Sequence, residues 1–424
     1  MDIDATLLAQ AKAAKAASRK LAGVSTSVKN RALDAIAESL IARQDEILEA
    51  NALDVERARD SGLADAPLNR LRLSPEKLQG IAADVRKVAA LPDPVGEVID
   101  GWTLPNGLRV SRRRVPLVVL AAVFESRPNV TIDIASLCLK SGNACIIRGG
   151  SEAIRSNTVL AKVAREAEVA AGVPEGALQL IENTDRALVA QLLTLSDYVD
   201  IMVPRGGAEL IRFVAENARM PVLTGGVGVC HTYVDQAADL EKAVEIALNA
   251  KTRNWSICNA LDTLLVHADV AVAYLPRIAK AWAERGVELR CDERALTVLE
   301  QAREGGRATA AAPDDFGREF LAPVAAVRVV DSIDEALDHI AQYGTGHSDA
   351  IVTEDLGAAR RFTDEVDTAV VYVNASTQFT DGAQFGLGAE IIDSTQKTIA
   401  RGPVGLREIT TYKWIVQGDG QVRP

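Results

Sequence analysis

The 424-residue sequence contains few aromatic residues, 4% of the total, and no extended run of basic charge. The net charge is −11, and the longest basic cluster, Arg112 to Arg114, lies inside an alternating strand pattern. Proteins that bind nucleic acid need clustered lysine and arginine to neutralise phosphates. The composition therefore disfavours nucleic acid as a partner.

The sequence also lacks paired cysteines and long apolar stretches. Five cysteines are scattered along the chain without a C-x-x-C pair, at positions Cys138, Cys145, Cys230, Cys258 and Cys291. An odd, dispersed set argues against a disulfide framework or a structural zinc site, and favours a reducing compartment. No apolar stretch reaches the ~20 residues that a membrane span needs, and the N-terminus does not resemble a signal peptide. We expect a cytoplasmic protein with no membrane partner.

The first hundred residues carry apolar side chains at helical spacing. Helices are predicted over 7–21 and 27–57, and a further helix begins at Ser74. Their expected role is to cover a sheet, and the alternative is a separate helical bundle.

From residue 115 onward, apolar strands alternate with amphipathic helices, and this pattern begins again near residue 229. The first strand of the series is predicted over 116–123 and the helix that follows it over 132–139. Such alternation predicts parallel sheets covered on both faces, with ligands at the carboxyl ends of the strands. We therefore predict an α/β fold with two Rossmann-like parallel-sheet domains and a small β flap for oligomerisation. The dinucleotide-binding domain spans 1–102 and 116–228, the catalytic domain 229–383, and the oligomerisation hairpin and tail 103–115 and 384–424.

Three loops lie at the predicted carboxyl ends of strands in the first domain: 124–130, 148–152 and 204–207. In the second and third, glycines precede a helix, which leaves backbone N–H groups to meet phosphate oxygens, and Arg148 and Arg205 add positive charge. There is no G-x-G-x-x-G, and a glycine pair before a helix is often only a turn. Two such loops in one sheet favour a dinucleotide site.

A single cysteine marks the centre of the second domain. Cys258 follows a helical run and precedes the apolar strand that begins near Leu261, in a loop with Asn254, Trp255 and Ser256. A thiol on a short connection between rigid elements is well placed to attack a carbonyl compound. The alternative is an inert core cysteine, since cysteine is among the most buried residue types.

Two segments resemble the aldehyde dehydrogenase superfamily, and within it the family that reduces L-glutamyl 5-phosphate. One is 330–351, and the other is Arg253-Asn-Trp-Ser-Ile-Cys258-Asn-Ala260, which matches that family's Arg-Asn-x-x-x-Cys-Asn-Ala. The order of elements agrees over essentially the whole chain. The resemblance implies the aldehyde dehydrogenase fold, a nucleophilic Cys258 and a nicotinamide cofactor.

The resemblance also implies roles for further residues. Asn129 takes the place of the superfamily's oxyanion-hole asparagine, and Arg148 replaces a lysine of the cofactor loop. The predicted cofactor-binding residues are Arg148, Gly149, Gly150, Ser151, Glu152, Arg205, Gly206, Gly207, Thr224, Gly225 and Glu319. The predicted substrate-binding residues are Arg127, Arg253, Asn254 and His347. For the arginines the alternative is a structural ion pair, and for His347 a hydrogen bond that stabilises a turn.

One departure from the superfamily carries chemical information. Aldehyde dehydrogenases that hydrolyse a thioester keep a glutamate in Glu-Leu-Gly-Gly, whereas the matching place here reads Leu223-Thr224-Gly-Gly. Without that base, water is a poor acyl acceptor, and phosphate is a good one. The missing glutamate therefore favours an acyl-phosphate substrate. The resemblance implies that this substrate is L-glutamyl 5-phosphate, reduced with NADPH to L-glutamate 5-semialdehyde, and no metal is expected.

The expected partners are L-glutamyl 5-phosphate, phosphate, glutamate 5-kinase and further copies of the chain in a dimer or tetramer. Two other classes stay open. One is a regulatory or scaffold protein that has lost activity, and the other is a reductase of a different acyl phosphate or of an acyl-coenzyme A.

Overall fold

The structure is a computed structural model that describes residues 3–303 and 307–423. It divides into two compact units. The first holds the described residues up to Thr224, together with Gly386–Ile392 and the residues from Val404 onward. The second holds Gly225–Phe385 and Asp393–Pro403. Within the described ranges, no helix combines the length and apolar character needed to cross a bilayer.

The first unit begins with five helices and continues as alternating strands and helices. Its helices are α1 (Ala5–Leu21), α2 (Thr26–Ala42), α3 (Gln44–Asp60), α4 (Asp65–Leu71), α5 (Pro75–Ala90), α6 (Asn129–Lys140), α7 (Ile154–Ala170), α8 (Ala187–Leu192) and α9 (Ala208–Asn217). Its strands up to this point are β1 (Val98–Thr103), β2 (Arg109–Pro116), β3 (Val119–Phe124), β4 (Ala144–Arg148), β5 (Leu178–Leu180) and β6 (Ile201–Arg205).

Four strands of this unit form a parallel sheet in the order β5-β4-β3-β6. Every residue of β3 and β4 is buried, as expected for strands covered on both faces. Leu7, Ala11 and Ala14 of α1 pack into the core of this sheet. Helix α1 therefore covers the sheet, whereas α2, α3 and α5 pack on α6 and α7 of the same unit. The alternative of a separate bundle is wrong.

Three predicted boundaries shift in this unit. The predicted helix 27–57 is two helices, because Arg43 leaves the helical region and ends α2. The predicted strand that begins at residue 116 starts instead at Val119, because Val118 has a φ of 106°, which no regular strand tolerates. The helix predicted from residue 132 begins at Asn129, so Asn129 lies on a helix instead of in a loop.

The second unit repeats the alternation. Its strands are β7 (Cys230–Val234), β8 (Leu261–His267), β9 (Glu288–Cys291), β10 (Ala308–Ala310), β11 (Val324–Val330), β12 (Ser348–Val352), β13 (Val370–Val373), β14 (Asp393–Ser394) and β15 (Gly402–Pro403). Its helices are α10 (Leu240–Thr252), α11 (Ala268–Ala283), α12 (Glu293–Gln301), α13 (Ile333–Tyr343) and α14 (Leu356–Glu365).

Seven of these strands form a parallel sheet in the order β10-β9-β11-β8-β7-β12-β13. The predicted pair of parallel-sheet units is thus confirmed. The sequence pattern did not reveal β9 and β10, since strands of three or four residues are too short to show a period. The nine-residue helix α12 between them was also missed.

The predicted hairpin gains a third strand from the end of the chain, β16 (Thr410–Gln417), which pairs antiparallel with β2. Trp102, Tyr412 and Trp414 project from this sheet, and Arg112 stacks over the last two while pairing with Asp100. The role of this sheet in oligomerisation stays a prediction.

Candidate active site

Cys258 lies in the connection between α10 and β8, at residues 253–260. It is partly exposed, whereas Cys138, Cys145, Cys230 and Cys291 are all buried. Cys258 is therefore not a buried core cysteine, and its role as a nucleophile stays a prediction. The other four thiols are buried in the core.

Gln378, which follows β13, holds the start of this connection. Its side-chain amide donates to the carbonyl oxygens of Ala250 and Asn254, at 3.0 and 3.2 Å, and its Oε1 accepts from Nη1 of Arg253 at 3.2 Å. Asn254 Oδ1 in turn accepts from the backbone N–H and the hydroxyl of Ser256, at 3.1 and 2.8 Å. Two predicted substrate residues, Arg253 and Asn254, thus contribute to the shape of the nucleophile loop.

A close backbone contact at Gly228 positions the loop that carries Cys258. A Cβ atom at this position would lie 1.7 Å from the carbonyl oxygen of Cys258, closer than any side chain permits. The N–H of Gly228 donates to Glu319 Oε1 at 3.1 Å. Burial raises the pKa of the Glu319 carboxyl, and this N–H acts in the opposite direction. Glu319 is therefore linked to Cys258 through a single glycine.

A buried ion pair between Lys251 and Asp262 binds the backbone next to Glu319. Asp262 Oδ1 accepts from the backbone N–H of Phe320 at 3.1 Å and lies 3.4 Å from Nζ of Lys251. Burial raises the pKa of Asp262 to about 6 and lowers the pKa of Lys251. The pair joins the end of α10, the start of β8 and the Glu319 segment, all of which border Cys258.

His347 is a titratable group close to the Cys258 thiol. The sulfur of Cys258, a ring nitrogen of His347 and a carboxylate oxygen of Asp393 lie within 4.8 Å of one another. Burial lowers the pKa of His347 to about 4, so the imidazole is neutral at pH 7. A neutral ring binds a substrate anion only through an N–H.

Asp393 is a residue that the sequence reasoning missed. It begins β14 and is far from Cys258 in sequence, so no spacing pattern connects the two. The place of the hydrolytic glutamate is occupied by Leu223-Thr224, as read from the sequence, but the folded chain brings a different carboxylate close to the sulfur. Its presence bears on whether water or phosphate receives the acyl group.

Cys230 and His231 face opposite sides of β7, as expected for neighbours on a strand. The Cys230 thiol donates to the Cys258 carbonyl oxygen at 3.2 Å. The His231 ring instead contacts buried Asp349, with Nδ1 and Oδ1 2.9 Å apart. A catalytic pair of Cys230 with His231 is excluded.

In the first unit, Asn129 is oriented by an acid one helical turn further on. Its Nδ2 donates to Asp133 Oδ2 at 2.8 Å, which leaves one amide N–H for another acceptor. Burial raises the pKa of Asp133 to about 6, and Arg205 acts in the opposite direction. The i,i+4 spacing would have revealed Asp133 if the helix had been predicted to begin at Asn129.

The loop after β4 is closely packed. A Cβ atom at Gly149 would lie 2.0 Å from Nδ2 of Asn157, and one at Gly150 would lie 2.2 Å from Glu152. Ser151 opens a short 3₁₀ turn, and Glu152 Oε1 accepts from the N–H and hydroxyl of Ser126, at 2.7 and 2.9 Å. Nη2 of Arg148 donates to the carbonyl oxygen of Thr184 at 2.9 Å.

The loop after β6 leads into α9. Arg205 ends the strand, and a Cβ atom at Gly206 would lie 2.5 Å from Glu125 Oε2, the oxygen that accepts the N–H of Gly207 at 3.0 Å. Nothing lies within 4 Å of the Cβ position of Gly207 itself. The helix start thus has open space and a carboxylate bound to its first amide.

Three further predicted residues, Arg127, Thr224 and Gly225, lie in segments that connect helices and strands. Arg127 is half-buried and precedes α6 in the first unit. Thr224 is the last residue of that unit's first segment. Gly225 opens the second unit and forms an isolated bridge with Ser394.

Comparison with known proteins assigns the chain to a family. The sequence model of the aldehyde dehydrogenase family matches residues 4–295 and 314–415. The chain belongs to this family and is an oxidoreductase.

The similarity is closer to one group of enzymes within the family. A gamma-glutamyl phosphate reductase from Dehalococcoides mccartyi is 56% identical over 414 residues, which cover 98% of this chain and 97% of that protein. The enzyme of that name from Halothermothrix orenii is 52% identical over 423 residues, with 100% of both chains covered. The crystal structure of a Thermotoga maritima gamma-glutamyl phosphate reductase, 46% identical, superimposes with a TM-score of 0.96 over 99% of this chain and all of that one.

The contact between Gly228 and Cys258 generates a prediction. Gly228→Ala forces the loop away from its position, so we expect the free energy of unfolding to fall by about 1–3 kcal/mol and the alkylation rate of Cys258 to change. Thermal unfolding and mass spectrometry of iodoacetamide-treated enzyme measure the two effects.

Gly80→Ala is the matched control, because nothing lies within 4 Å of its Cβ position and the residue lies in α5. That substitution should raise stability by up to about 1 kcal/mol and leave Cys258 unchanged. Equal stability and equal thiol reactivity in Gly228→Ala and the wild type would show that the contact does not constrain the loop.

Proposed function

We propose that the protein reduces L-glutamyl 5-phosphate to L-glutamate 5-semialdehyde with NADPH and releases phosphate, the second step of proline biosynthesis from glutamate. One observation carries the proposal: relatives named gamma-glutamyl phosphate reductase share 52–56% identity over nearly the full chain, which includes the partly exposed Cys258 loop. We infer a cytoplasmic homo-oligomer, and association with glutamate 5-kinase would supply the unstable acyl phosphate directly.

The first chemical step is attack of the Cys258 thiolate on the acyl carbon. A carbon–sulfur bond forms, the carbonyl oxygen becomes an oxyanion, and the carbon–oxygen bond to phosphate then breaks. Asn129 is the proposed side-chain donor to the oxyanion, with the N–H of Cys258 as the second donor. Asp133 supports this role, because it fixes the orientation of the Asn129 amide.

The resulting thioester on Cys258 is then reduced. The nicotinamide supplies the hydride for this reduction. The product is a thiohemiacetal on Cys258, and its collapse breaks the carbon–sulfur bond, releases the semialdehyde and returns the thiolate. The Gly228 contact and the Gln378 hydrogen bonds support both steps, because they hold the sulfur in one position throughout.

The residues of the predicted cofactor loops fit a phosphate-bearing nucleotide. Arg148 is 9% exposed, and its Nε is buried with no hydrogen-bond partner among the described residues. Gly207 leaves open space directly before α9, and a nucleotide phosphate there would replace the Glu125 oxygen that accepts the Gly207 N–H. We assign cofactor binding to these loops with Arg205, Thr224 and Gly225, and to Glu319 in the second unit.

The substrate's anionic groups require positive charge. Arg127 and Arg253 are the proposed ligands, since guanidinium groups bind carboxylates and phosphates through two parallel hydrogen bonds. Arg253 uses Nη1 to contact Gln378, a neutral amide, so its charge is not neutralised by that bond. Asn254 and His347 complete the proposed substrate set, Asn254 through the loop shape and His347 as a neutral group beside the thiol.

Replacing the nucleophile gives the direct test of this mechanism. Cys258→Ser should lower turnover by at least ~10³-fold, because a serine hydroxyl is a far weaker nucleophile at neutral pH, and NADPH affinity should stay within twofold. The measurements are semialdehyde oxidation with NADP+ and phosphate, and fluorescence titration with NADPH.

Cys291→Ala is the control, since it removes a buried thiol of β9 in the same unit. It should lower stability and leave turnover per folded molecule intact. A Cys258→Ser variant that keeps most of its rate would disprove the thioester route.

The proposed oxyanion contact generates a second prediction. Asn129→Ala should lower kcat by about 10²–10³-fold with a smaller change in KM, because the lost hydrogen bond forms in the transition state. Asn217→Ala, an exposed amide at the end of α9, is the control and should retain the wild-type kcat. Equal proportional losses in kcat for both variants, or a loss in Asn129→Ala confined to KM, would argue against the assignment.

A further inference from the structure

The second unit brings three different metal-ligating groups together beside the proposed nucleophile. Cys258 comes from the loop before β8, His347 directly precedes β12, and Asp393 begins β14. Their donor atoms lie within 4.8 Å of one another. We call Cys258, His347 and Asp393 the thiol cluster.

We propose that the thiol cluster binds a thiophilic divalent cation of the zinc type, which the proposed reaction does not use and which reversibly blocks the nucleophile. The site depends only on the three side chains. Its existence is therefore independent of which acyl compound the enzyme reduces.

The ligand chemistry favours zinc over calcium or magnesium. Thiolate sulfur, imidazole nitrogen and carboxylate oxygen are the three donor types that proteins offer to zinc, with bonds of about 2.0–2.3 Å. Calcium and magnesium prefer oxygen ligands alone. Three protein ligands also leave a fourth tetrahedral position for water, or for a substrate carboxylate.

The three donor atoms of the thiol cluster need to move only a short distance to bind a zinc ion. A point central to three atoms no more than 4.8 Å apart lies within about 2.8 Å of each, so contraction by less than about 1 Å produces zinc bond lengths. Cys258 and Asp393 are half-buried, in a loop and in a strand of two residues, and both elements permit such an adjustment.

His347 provides the independent observation that points to a ligand. The residue is 2% exposed, and its Nε2 atom is buried without a hydrogen-bond partner among the residues that the structure describes. A buried polar atom of this kind is costly unless something binds it. Burial also lowers the pKa of His347 to about 4, which leaves the ring unprotonated, the state that binds metal.

A chain of hydroxyl groups supports the other side of this ring. Nδ1 of His347 is 2.9 Å from Ser348 Oγ, which is 2.7 Å from Thr380 Oγ1, and Tyr372 OH is 2.8 Å further along. Ligating histidines commonly use their second nitrogen in this way, because the hydrogen bond fixes the tautomer and the ring orientation. When Nδ1 donates to Ser348, the Nε2 lone pair becomes available to the cation.

Binding has a chemical consequence for Cys258. The cation displaces the thiol proton and uses the sulfur lone pair that would attack the acyl carbon. The metal-bound enzyme should therefore neither form a thioester nor react with alkylating reagents. The alternative role of the cluster is proton exchange alone, in which the three groups share protons and no cation binds.

Cobalt(II) distinguishes these roles, because thiolate ligation produces a sulfur-to-cobalt charge-transfer band in the near ultraviolet. Reduced, metal-free full-length enzyme is titrated with Co²⁺ under anaerobic conditions. We expect one equivalent to bind with this band and with the strong visible absorption of a tetrahedral ion, and Zn²⁺ to abolish both. Iodoacetamide labelling of Cys258 should slow at least tenfold with one equivalent of Zn²⁺.

Variants identify the ligands. Cys258→Ser should lose the charge-transfer band, whereas Cys230→Ser should keep it, although Cys230 Sγ lies 3.9 Å from His347 Nδ1. Asp393→Asn and Ser348→Ala should each weaken Co²⁺ binding by about 10–100-fold. Ser348→Ala removes the hydrogen bonds of Ser348 to the His347 ring and to Thr380 without changing a metal ligand, and it is useful if replacement of His347 itself prevents folding.

Three results would overturn the proposal. They are the absence of stoichiometric binding at micromolar Co²⁺, a charge-transfer band that persists in Cys258→Ser, and labelling of Cys258 that Zn²⁺ does not slow. None of these readouts uses turnover. Loss of the metal site and failure of the proposed reaction are therefore distinguishable.

Discussion

The close approach of the Gly228 backbone to the carbonyl of Cys258 is the constraint on which the catalytic unit depends. No side chain fits between the two backbones, so the segment that leads into β7 and the loop that carries Cys258 pack directly against each other. The same glycine donates its N–H to Glu319, and Phe320 beside it is bound to the buried Asp262–Lys251 pair. One contact thus couples the proposed nucleophile to the proposed cofactor ligand.

Electrostatics around the sulfur differ from what the sequence alone indicated. The glutamate that would activate water is absent from the Leu223-Thr224 position, yet Asp393 lies near Cys258 and His347. Burial keeps His347 neutral, so Asp393 faces no histidinium cation. The proposed preference for phosphate over water would then depend on geometry, namely on whether Asp393 can contact a water molecule in line with the carbon of the proposed thioester.

The sequence predicted the class of fold and the position of Cys258 on a short connecting loop, because both leave local patterns. Apolar strands such as β3 and helices such as α11 have unambiguous periods, and the Cys258 loop carries polar residues that do not belong in a core. The contacts of the Cys258 loop with Asp393 and Gln378 could not be predicted from the sequence, because they join segments more than a hundred residues apart. Asp133 was missed for a smaller reason, an error of three residues in the start of α6.

The central claim is that Cys258 exchanges its acyl group with phosphate and not with water. It is tested by oxidation of L-glutamate 5-semialdehyde with NADP+ across a range of phosphate concentrations, with hydroxylamine added after quenching to convert acyl phosphate into hydroxamate. The account predicts that NADPH formation depends on phosphate in a saturable manner and that hydroxamate matches NADPH in amount. Equal rates without phosphate, with free glutamate as the product, would contradict it.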